Sequence, residues 1–362
     1  MAKKQILSTT RTSGSKIAAD WKDFRERLKD NFHSHQLWAE AYNDYFLERV
    51  ESRFLAPVRL IKDNFDPQKI GSGFTMVAIL CILIEHLQAC YEGVVYTTGE
   101  PGLYEYKYSK YLFRSFLTTH SPFNSAFKKR DAEKFYDDVR CGLLHEAATK
   151  GDALILKDKR GDADTILEKN PDKFIIYRNA LHTALESYLM TYRSKLIDDT
   201  DTLLRRNLFR KLDELNGVRR SLYFAYGSNL LSQQLESERN IFVHSWHVGR
   251  LDGFRITFNK KSTLSEQTYA NIKGSEGSTT WGIIYEIDSA DFDKLNGYEK
   301  GYDRKPVNVI LDQTYCSGIT YISNSTTVPN PKQEYLGKII KGAQEKGLPD
   351  EWIDFLQTTP IQ

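Results

Sequence analysis

The first half of the chain carries apolar residues at the spacing of amphipathic helices. The pattern begins at Trp21, Phe24 and Leu28 and continues to about Leu60. A second run, from Phe74 to about Tyr96, is apolar on most faces, which is typical of a helix buried in a bundle. The same spacing predicts further helices over Tyr108–Leu117, Asp131–Glu146 and Arg178–Leu196.

Short β-type runs appear in the middle of the chain and dominate its last third. Ala153–Leu156 and Lys173–Tyr177 predict a small β-hairpin around a long charged turn. After about residue 220, short β-rich runs alternate with turns, which predicts a small barrel or curved sheet with helices packed on it. The resulting division is a flexible N-terminus (1–15), a helical domain (16–200), a helical linker (201–220) and an α+β domain (221–362).

Composition places the chain among ordinary soluble proteins. Of its 362 residues, 40% are hydrophobic and 27% charged. The apolar stretch from Met76 to Ile84 is shorter than the roughly 18 residues that span a bilayer, and the N-terminus does not read as a signal peptide. The four cysteines lack metal-type spacing and predict reduced thiols. We therefore expect a cytoplasmic protein without a membrane partner.

Charge is unevenly divided between the two halves. Residues 222–362 carry 14 Lys and Arg against 17 Asp and Glu, whereas the whole chain has 50 against 48. The first 221 residues therefore have a net charge of +5 (36 against 31). This mild excess permits contact with nucleic acid but does not by itself argue for it.

One short segment of the second half suggests an anion site. Tyr226-Gly227-Ser228-Asn229-Leu230 follows an apolar strand and leads into a helix-like run. A strand that turns in this way gathers backbone N–H groups around one point, and such groups favour a negative charge. An ordinary turn is the alternative, since Gly, Ser and Asn are common turn residues.

The order of motifs around this segment resembles the γ-glutamylcyclotransferase-like (AIG2-like) family. The resemblance covers residues 222–356 and involves five blocks in the family order. They are the loop at Tyr226–Leu230, the strand pair at Trp246–Phe258, the segment Ala270–Tyr285, the turn Leu295–Tyr302 and the tail Tyr335–Leu356.

The resemblance implies that a γ-glutamyl group is cyclised to 5-oxoproline with release of an amine or amino acid. Glu299 would be the general base, while Tyr226–Leu230 and Tyr302 would bind the substrate, which is a small molecule or a peptide. Lys300 stands where many members have Gly, a departure that bears on rate and substrate. No cofactor and no metal are expected, and a non-catalytic binding module is the alternative.

A second motif lies in the helical half. Arg140 and His145 stand in the segment Phe135–Glu146, with four residues between them. This spacing resembles the R-x4-H motif of HEPN-domain proteins, and the weaker resemblance extends over residues 16–200. It implies a helical HEPN-like bundle. Its possible activity is that of a metal-independent ribonuclease of the toxin–antitoxin or anti-phage type, regulated by the C-terminal domain.

The chemistry of such a ribonuclease accounts for the two residue types. Histidine moves the proton of the RNA 2′-hydroxyl and arginine holds the phosphate. Residues five apart on a helix are about 140° apart, so a homodimer through this domain would assemble a better site than one chain. Two functions of this helical domain therefore stay open: RNA cleavage, and a dimerisation or scaffold role.

Overall fold

The structure is a computed structural model that describes residues 6–64, 71–262, 267–312, 314–324 and 330–362. The chain divides into two compact units, Met1–Gly217 and Val218–Gln362. Each has its own apolar core. Trp21, Leu80 and Phe116 are fully buried in the first unit, and Phe224 and Ile283 in the second.

The N-terminal unit is mainly helical, as the apolar spacing predicts. Its α-helices are α1 (Ala18–Asp30), α2 (His35–Glu40), α3 (Glu48–Val50), α4 (Ala56–Asn64), α5 (Ser72–Glu92), α6 (Ser109–Thr119), α7 (Phe123–Ala126), α8 (Lys129–Lys134), α9 (Cys141–Glu146), α10 (Arg178–Ile197) and α11 (Thr202–Leu215). π-Helical segments at Ala41–Leu47, Glu51–Leu55 and Phe135–Arg140 continue the neighbouring helices. The HEPN-like identity of this bundle stays a prediction.

Helix α5 runs through the core of this unit. It has 21 residues, more than the apolar stretch Met76–Ile84, and its length and composition would suffice to cross a membrane. Leu80, Leu83 and Leu87 on this helix are nevertheless fully buried within the protein. This burial is what the core helix of a bundle requires.

The predicted hairpin of the N-terminal unit is wrong in its pairing. The strands of the N-terminal unit are β1 (Arg11–Ser13), β2 (Lys16–Ile17), β3 (Val95–Tyr96), β4 (Glu105–Tyr106), β5 (Ala153–Leu156), β6 (Leu167–Asn170) and β7 (Lys173–Tyr177). β5 pairs with β7 in parallel, whereas β6 and β7 form the antiparallel pair. A parallel pair needs a long connection, and the charged segment between β5 and β7 supplies it.

Two predicted boundaries of this unit also need correction. Residues 201–220 are not a linker, because α11 is packed into the N-terminal unit. Asp213 on α11 accepts hydrogen bonds from Trp21 Nε1 at 2.9 Å and Arg25 Nε at 2.8 Å. The N-terminus predicted to be flexible over 1–15 contains strand β1, in which Thr12 and Ser13 are buried. Residues 1–5 lie outside the described part of the chain.

A buried histidine makes the stability of the N-terminal unit sensitive to acid. His120 is 5% exposed and its Nε2 lies 2.9 Å from Gln88 Oε1. Burial, helped by the charge of Lys195, lowers the pKa of His120 from 6.5 to about 4. Below about pH 6.5 the unfolded chain therefore binds a proton that the folded chain does not, so stability falls as the pH drops towards 4.

We expect His120→Gln to weaken this pH dependence. The measurement is the midpoint of thermal unfolding at about pH 7.5 and about pH 5, where wild type should lose more stability than the variant. His145→Gln is the matched control, since His145 is exposed on α9. Equal losses for wild type and His120→Gln would show that His120 does not carry the effect.

The C-terminal unit is built on a closed five-stranded barrel, which confirms the predicted barrel. Its strands are β8 (Arg220–Ala225), β9 (Ser245–Lys261), β10 (Thr268–Asp288), β11 (Asp303–Leu311) and β12 (Thr314–Ile322), in the order β10-β8-β12-β11-β9. β8 and β12 are parallel, and the other neighbours are antiparallel. This unit also contains helices α12 (Asp291–Tyr298), α13 (Gln333–Glu345) and α14 (Asp350–Gln357) and a π-helical segment at Gln233–Glu238.

Candidate functional site

A narrow pocket opens where strand β8 leaves the barrel. The predicted loop, Tyr226–Leu230, forms one side of it, and its last three residues make a single 3₁₀ turn. The pocket is small, about 30 Å³, which is room for about two water molecules. Its lining residues are Tyr223, Tyr226, Gly227, Ser228, Asn229, Ala270, Glu299, Tyr302, Thr320, Tyr321 and Tyr335.

Glu299 reaches this pocket from the end of helix α12. Its backbone N–H donates to Leu295 O at 2.9 Å, and Tyr302 N–H donates to Glu299 O at 3.1 Å. Gly301, with φ +79°, allows the tight turn that leads from the helix into β11. The turn therefore fixes Glu299 and Tyr302 together at the mouth of the barrel.

Two donors hold the Glu299 carboxylate. Asn229 Nδ2 donates to Glu299 Oε1 at 3.0 Å, and Arg239 Nη1 donates to the same oxygen at 2.5 Å. Both members of the ion pair are largely shielded from solvent. The structure thus brings Glu299 into direct contact with the predicted loop, 70 residues away in the chain.

The loop is held by the side chain of Gln234, which follows it in the chain, and by its own turn. Gln234 Nε2 donates to Ser228 Oγ at 2.6 Å and to Asn229 Oδ1 at 3.2 Å. Leu230 N–H donates to Gly227 O at 3.0 Å, so this amide is already engaged within the turn. The amides of Gly227, Ser228 and Asn229 precede it, at the start of a turn, where N–H groups lack partners within the helix.

Gly227 is needed for space rather than for a left-handed backbone. Its φ is −110°, outside the left-handed region. A Cβ at this position would stand 3.3 Å from Ala270 Cβ and 3.4 Å from Tyr335 Oη. Side chains from β10 and α13 therefore crowd the backbone at Gly227.

Tyrosine hydroxyls tie the pocket walls to the barrel. Tyr226 Oη donates to Tyr321 O at 2.5 Å, and Tyr302 Oη donates to Ala270 O at 2.6 Å. Ala270 N–H donates to Tyr335 Oη at 3.1 Å. Burial raises the pKa of Tyr335 to about 12 and the pKa values of Tyr226 and Tyr302 well above 10. These phenols are therefore neutral at physiological pH.

Helix α13 closes the pocket from behind by direct backbone contact with the loop. A Cβ on Gly342 would stand 2.5 Å from Leu231 N and 2.6 Å from Leu230 C. Only glycine allows the helix to lie this close.

Sequence reasoning missed several residues of this site. Arg239, Tyr223 and Tyr321 contact the predicted residues but stand outside the five family blocks, and Tyr335 begins the tail block without being predicted as a site residue. For Arg239, the best available signal was its position directly after a helical run. An arginine in that position is common on protein surfaces.

The two predicted residues of the helical unit face different surroundings. Arg140 donates from Nε to Glu85 Oε1 at 2.8 Å and lies over the Tyr136 ring. His145 is exposed on α9. Arg140 thus makes an internal ion pair and His145 points to solvent, as the 140° separation implies. The ribonuclease alternative, with its RNA partner and homodimer, stays a prediction.

Comparison with known proteins concerns the C-terminal part of the chain. Residues 279–356 match the sequence model of the AIG2-like family. The bovine γ-glutamylcyclotransferase is 32% identical over an alignment of 142 residues that covers 36% of this chain and 74% of the bovine protein. The human γ-glutamylcyclotransferase is 29% identical over an alignment of 145 residues that covers 38% of this chain and 77% of the human protein.

A solved structure of a γ-glutamyl cyclotransferase has 27% sequence identity and covers 40% of this chain and 90% of its own, with a TM-score of 0.36. The sequence match to the bovine enzyme extends over most of that protein's length. Through its C-terminal unit, the chain belongs to the γ-glutamylcyclotransferase family.

Proposed function

We propose that this protein cyclises a γ-glutamyl group to 5-oxoproline and releases the attached amine or amino acid. Glu299 is the general base, and the Tyr226–Leu230 loop binds the glutamyl end of the substrate. The observation that carries the proposal is the 3.0 Å contact between Asn229 and the Glu299 carboxylate at a pocket. In this contact the Glu299 carboxylate and the Tyr226–Leu230 loop meet at one pocket, which supports a proton acceptor next to the proposed substrate-binding loop.

The chemistry requires one proton transfer to start. Glu299 takes a proton from the substrate's α-ammonium, and the neutral nitrogen attacks the γ-carbonyl carbon of the same molecule. A C–N bond forms and closes a five-membered ring, while the bond from that carbon to the leaving nitrogen breaks. The ring nitrogen then loses a second proton, the leaving nitrogen takes up both protons and departs as an ammonium, and Glu299 is left deprotonated again. Because the attack is intramolecular, holding the substrate folded supplies much of the rate.

Arg239 has a defined part in this proposal. Its guanidinium neutralises the Glu299 carboxylate at 2.5 Å when the site is unoccupied by an ammonium. An incoming α-ammonium replaces part of that interaction and is drawn to the same oxygen.

The direct test is to incubate the pure protein with a panel of γ-glutamyl compounds and to measure 5-oxoproline. The panel includes γ-glutamyl amino acids, γ-glutamyl amines and glutathione. We expect time-dependent release of 5-oxoproline and an equal amount of the leaving amine. Binding of these compounds without any 5-oxoproline would instead support the non-catalytic binding module.

A further inference from the structure

A larger cavity lies in the helical unit, where α6, α7 and the start of α8 meet. Its volume is about 280 Å³, against about 30 Å³ for the pocket beside Glu299. One water molecule needs about 10–15 Å³ on this scale, so the cavity has room for about twenty. That is enough for a small organic molecule. The lining residues come from the three helices and from the connection between α7 and α8, and are Arg114, Thr118, Asn124, Phe127, Lys128 and Lys129.

Packing and hydrogen bonds within the protein hold the walls of this cavity. Phe127 is 1% exposed, and its ring stacks on that of Phe135 with the centres 5.6 Å apart. Thr118 Oγ1 donates to the backbone oxygen of Arg114 at 2.9 Å, and Asn124 Nδ2 donates to that of Thr119 at 3.3 Å. The lone pairs of the Thr118 hydroxyl and the second N–H of the Asn124 amide stay available to a ligand.

The lining residues carry three positive charges and no negative one. Arg114 Nη1 donates to Glu133 Oε1 at 2.9 Å, so a carboxylate outside the lining balances the guanidinium. Lys128 and Lys129 are exposed. Among the residues that the structure describes, no carboxylate lies within ion-pair distance of either ammonium.

The nearest acidic neighbour in the sequence does not cancel these two lysines. Asp131 accepts from the backbone N–H of Lys128 at 2.9 Å and pairs with Lys169 Nζ at 2.7 Å. The charge of Asp131 is therefore matched by a lysine that does not line the cavity. Two positive charges remain uncompensated at the cavity, and a phosphate monoester carries about −1.5 to −2 at pH 7.

We propose that this cavity binds a small phosphate monoester. Lys128 and Lys129 hold the phosphate oxygens, and Arg114 supplies further N–H donors at the same end. The rest of the ligand fills the volume beside Thr118 and Asn124, because a phosphate ion alone would leave most of the cavity empty. The site uses residues of the helical unit only, so it stands or falls separately from the proposed cyclotransferase.

Calorimetry of the full-length protein tests the site with two matched pairs of compounds, ribose 5-phosphate with ribose and adenosine monophosphate with adenosine. Within each pair only the phosphate differs. We expect at least one phosphorylated compound to bind and its partner to bind at least about tenfold more weakly, which is the value of one charge-assisted hydrogen bond. If neither phosphorylated compound binds more tightly than its partner, the proposal is wrong.

A double variant locates the binding at the two lysines. Lys128→Met combined with Lys129→Met should raise Kd for the phosphorylated compound by at least about tenfold. Replacement of both by arginine keeps the charges and should keep most of the affinity. Lys157→Met combined with Lys173→Met is the matched control, because it removes two exposed lysines of the same unit that do not line the cavity. Equal weakening by the two methionine pairs would show an effect of net charge and overturn the site.

Two further measurements test the class of ligand. Inorganic phosphate should bind more weakly than the better monoester, and equal affinity would overturn the assignment of the remaining volume. A short single-stranded RNA should also bind more weakly. Tighter binding of the RNA through the same two lysines would mean that the surface is a nucleic-acid site instead.

Thermal unfolding checks the fold of each variant and gives an independent readout. A ligand that binds only the folded protein raises the unfolding midpoint. The phosphorylated compound should therefore raise the midpoint of wild type and of the Lys157 and Lys173 control, but not that of the Lys128 and Lys129 methionine variant. A rise of the same size in all three proteins would overturn the inference.

Discussion

Glu299→Gln is expected to lower 5-oxoproline release by at least about a hundredfold, the usual contribution of a general base. The amide is nearly isosteric and keeps an oxygen that can accept from Asn229 and Arg239, which hold the carboxylate at 3.0 and 2.5 Å. The amide cannot take the proton from the substrate's ammonium. We therefore expect a folded protein that binds γ-glutamyl compounds but does not cyclise them.

The measurement is kcat/KM for 5-oxoproline release, with thermal unfolding to verify the fold. Asp293→Asn is the matched control, because it removes an exposed carboxylate from the same helix, α12. We expect that control to behave like wild type. Release at the wild-type rate by folded Glu299→Gln would exclude Glu299 as the general base.

The sequence predicts the binding loop and the catalytic carboxylate of the site, but not the contact between them. Tyr226–Leu230 and Glu299 stand in recognisable blocks, since the turn residues and their order follow the family pattern. Their direct contact through Asn229 depends on closing the barrel, which brings residues 70 positions apart together. Arg239 stands among ordinary surface-type residues in the sequence, and only its burial in the folded unit distinguishes it.

The fold follows the same division between local and distant interactions. Helices such as α5 and α10 are predicted because their apolar spacing is a local property. The parallel pairing of β5 with β7 is not, since Ala153–Leu156 and Lys173–Tyr177 would look the same in a hairpin. Helix α11 reads as a charged linker because Arg205 and Asp213 are polar, yet both are buried with hydrogen-bond partners.

Gly342→Ala is expected to destabilise the C-terminal unit and to lower its activity, although alanine favours helices. The added Cβ would stand 2.5 Å from Leu231 N and 2.6 Å from Leu230 C, closer than backbone atoms can tolerate. Helix α13 or the loop must then move. Overpacking of this kind costs about 1–3 kcal/mol, and displacement of the loop should also lower kcat/KM.

Gly337→Ala on the same helix is the matched control. Gly337 is exposed, and an added Cβ would have no neighbour within 4 Å. Removing a helix-interior glycine there should stabilise the protein by about 0.5–1 kcal/mol without changing activity. Chemical unfolding and kcat/KM of both variants make the comparison. Equal stabilisation by the two alanines would mean that α13 does not press on the loop, and that the loop is positioned by its own hydrogen bonds to Gln234.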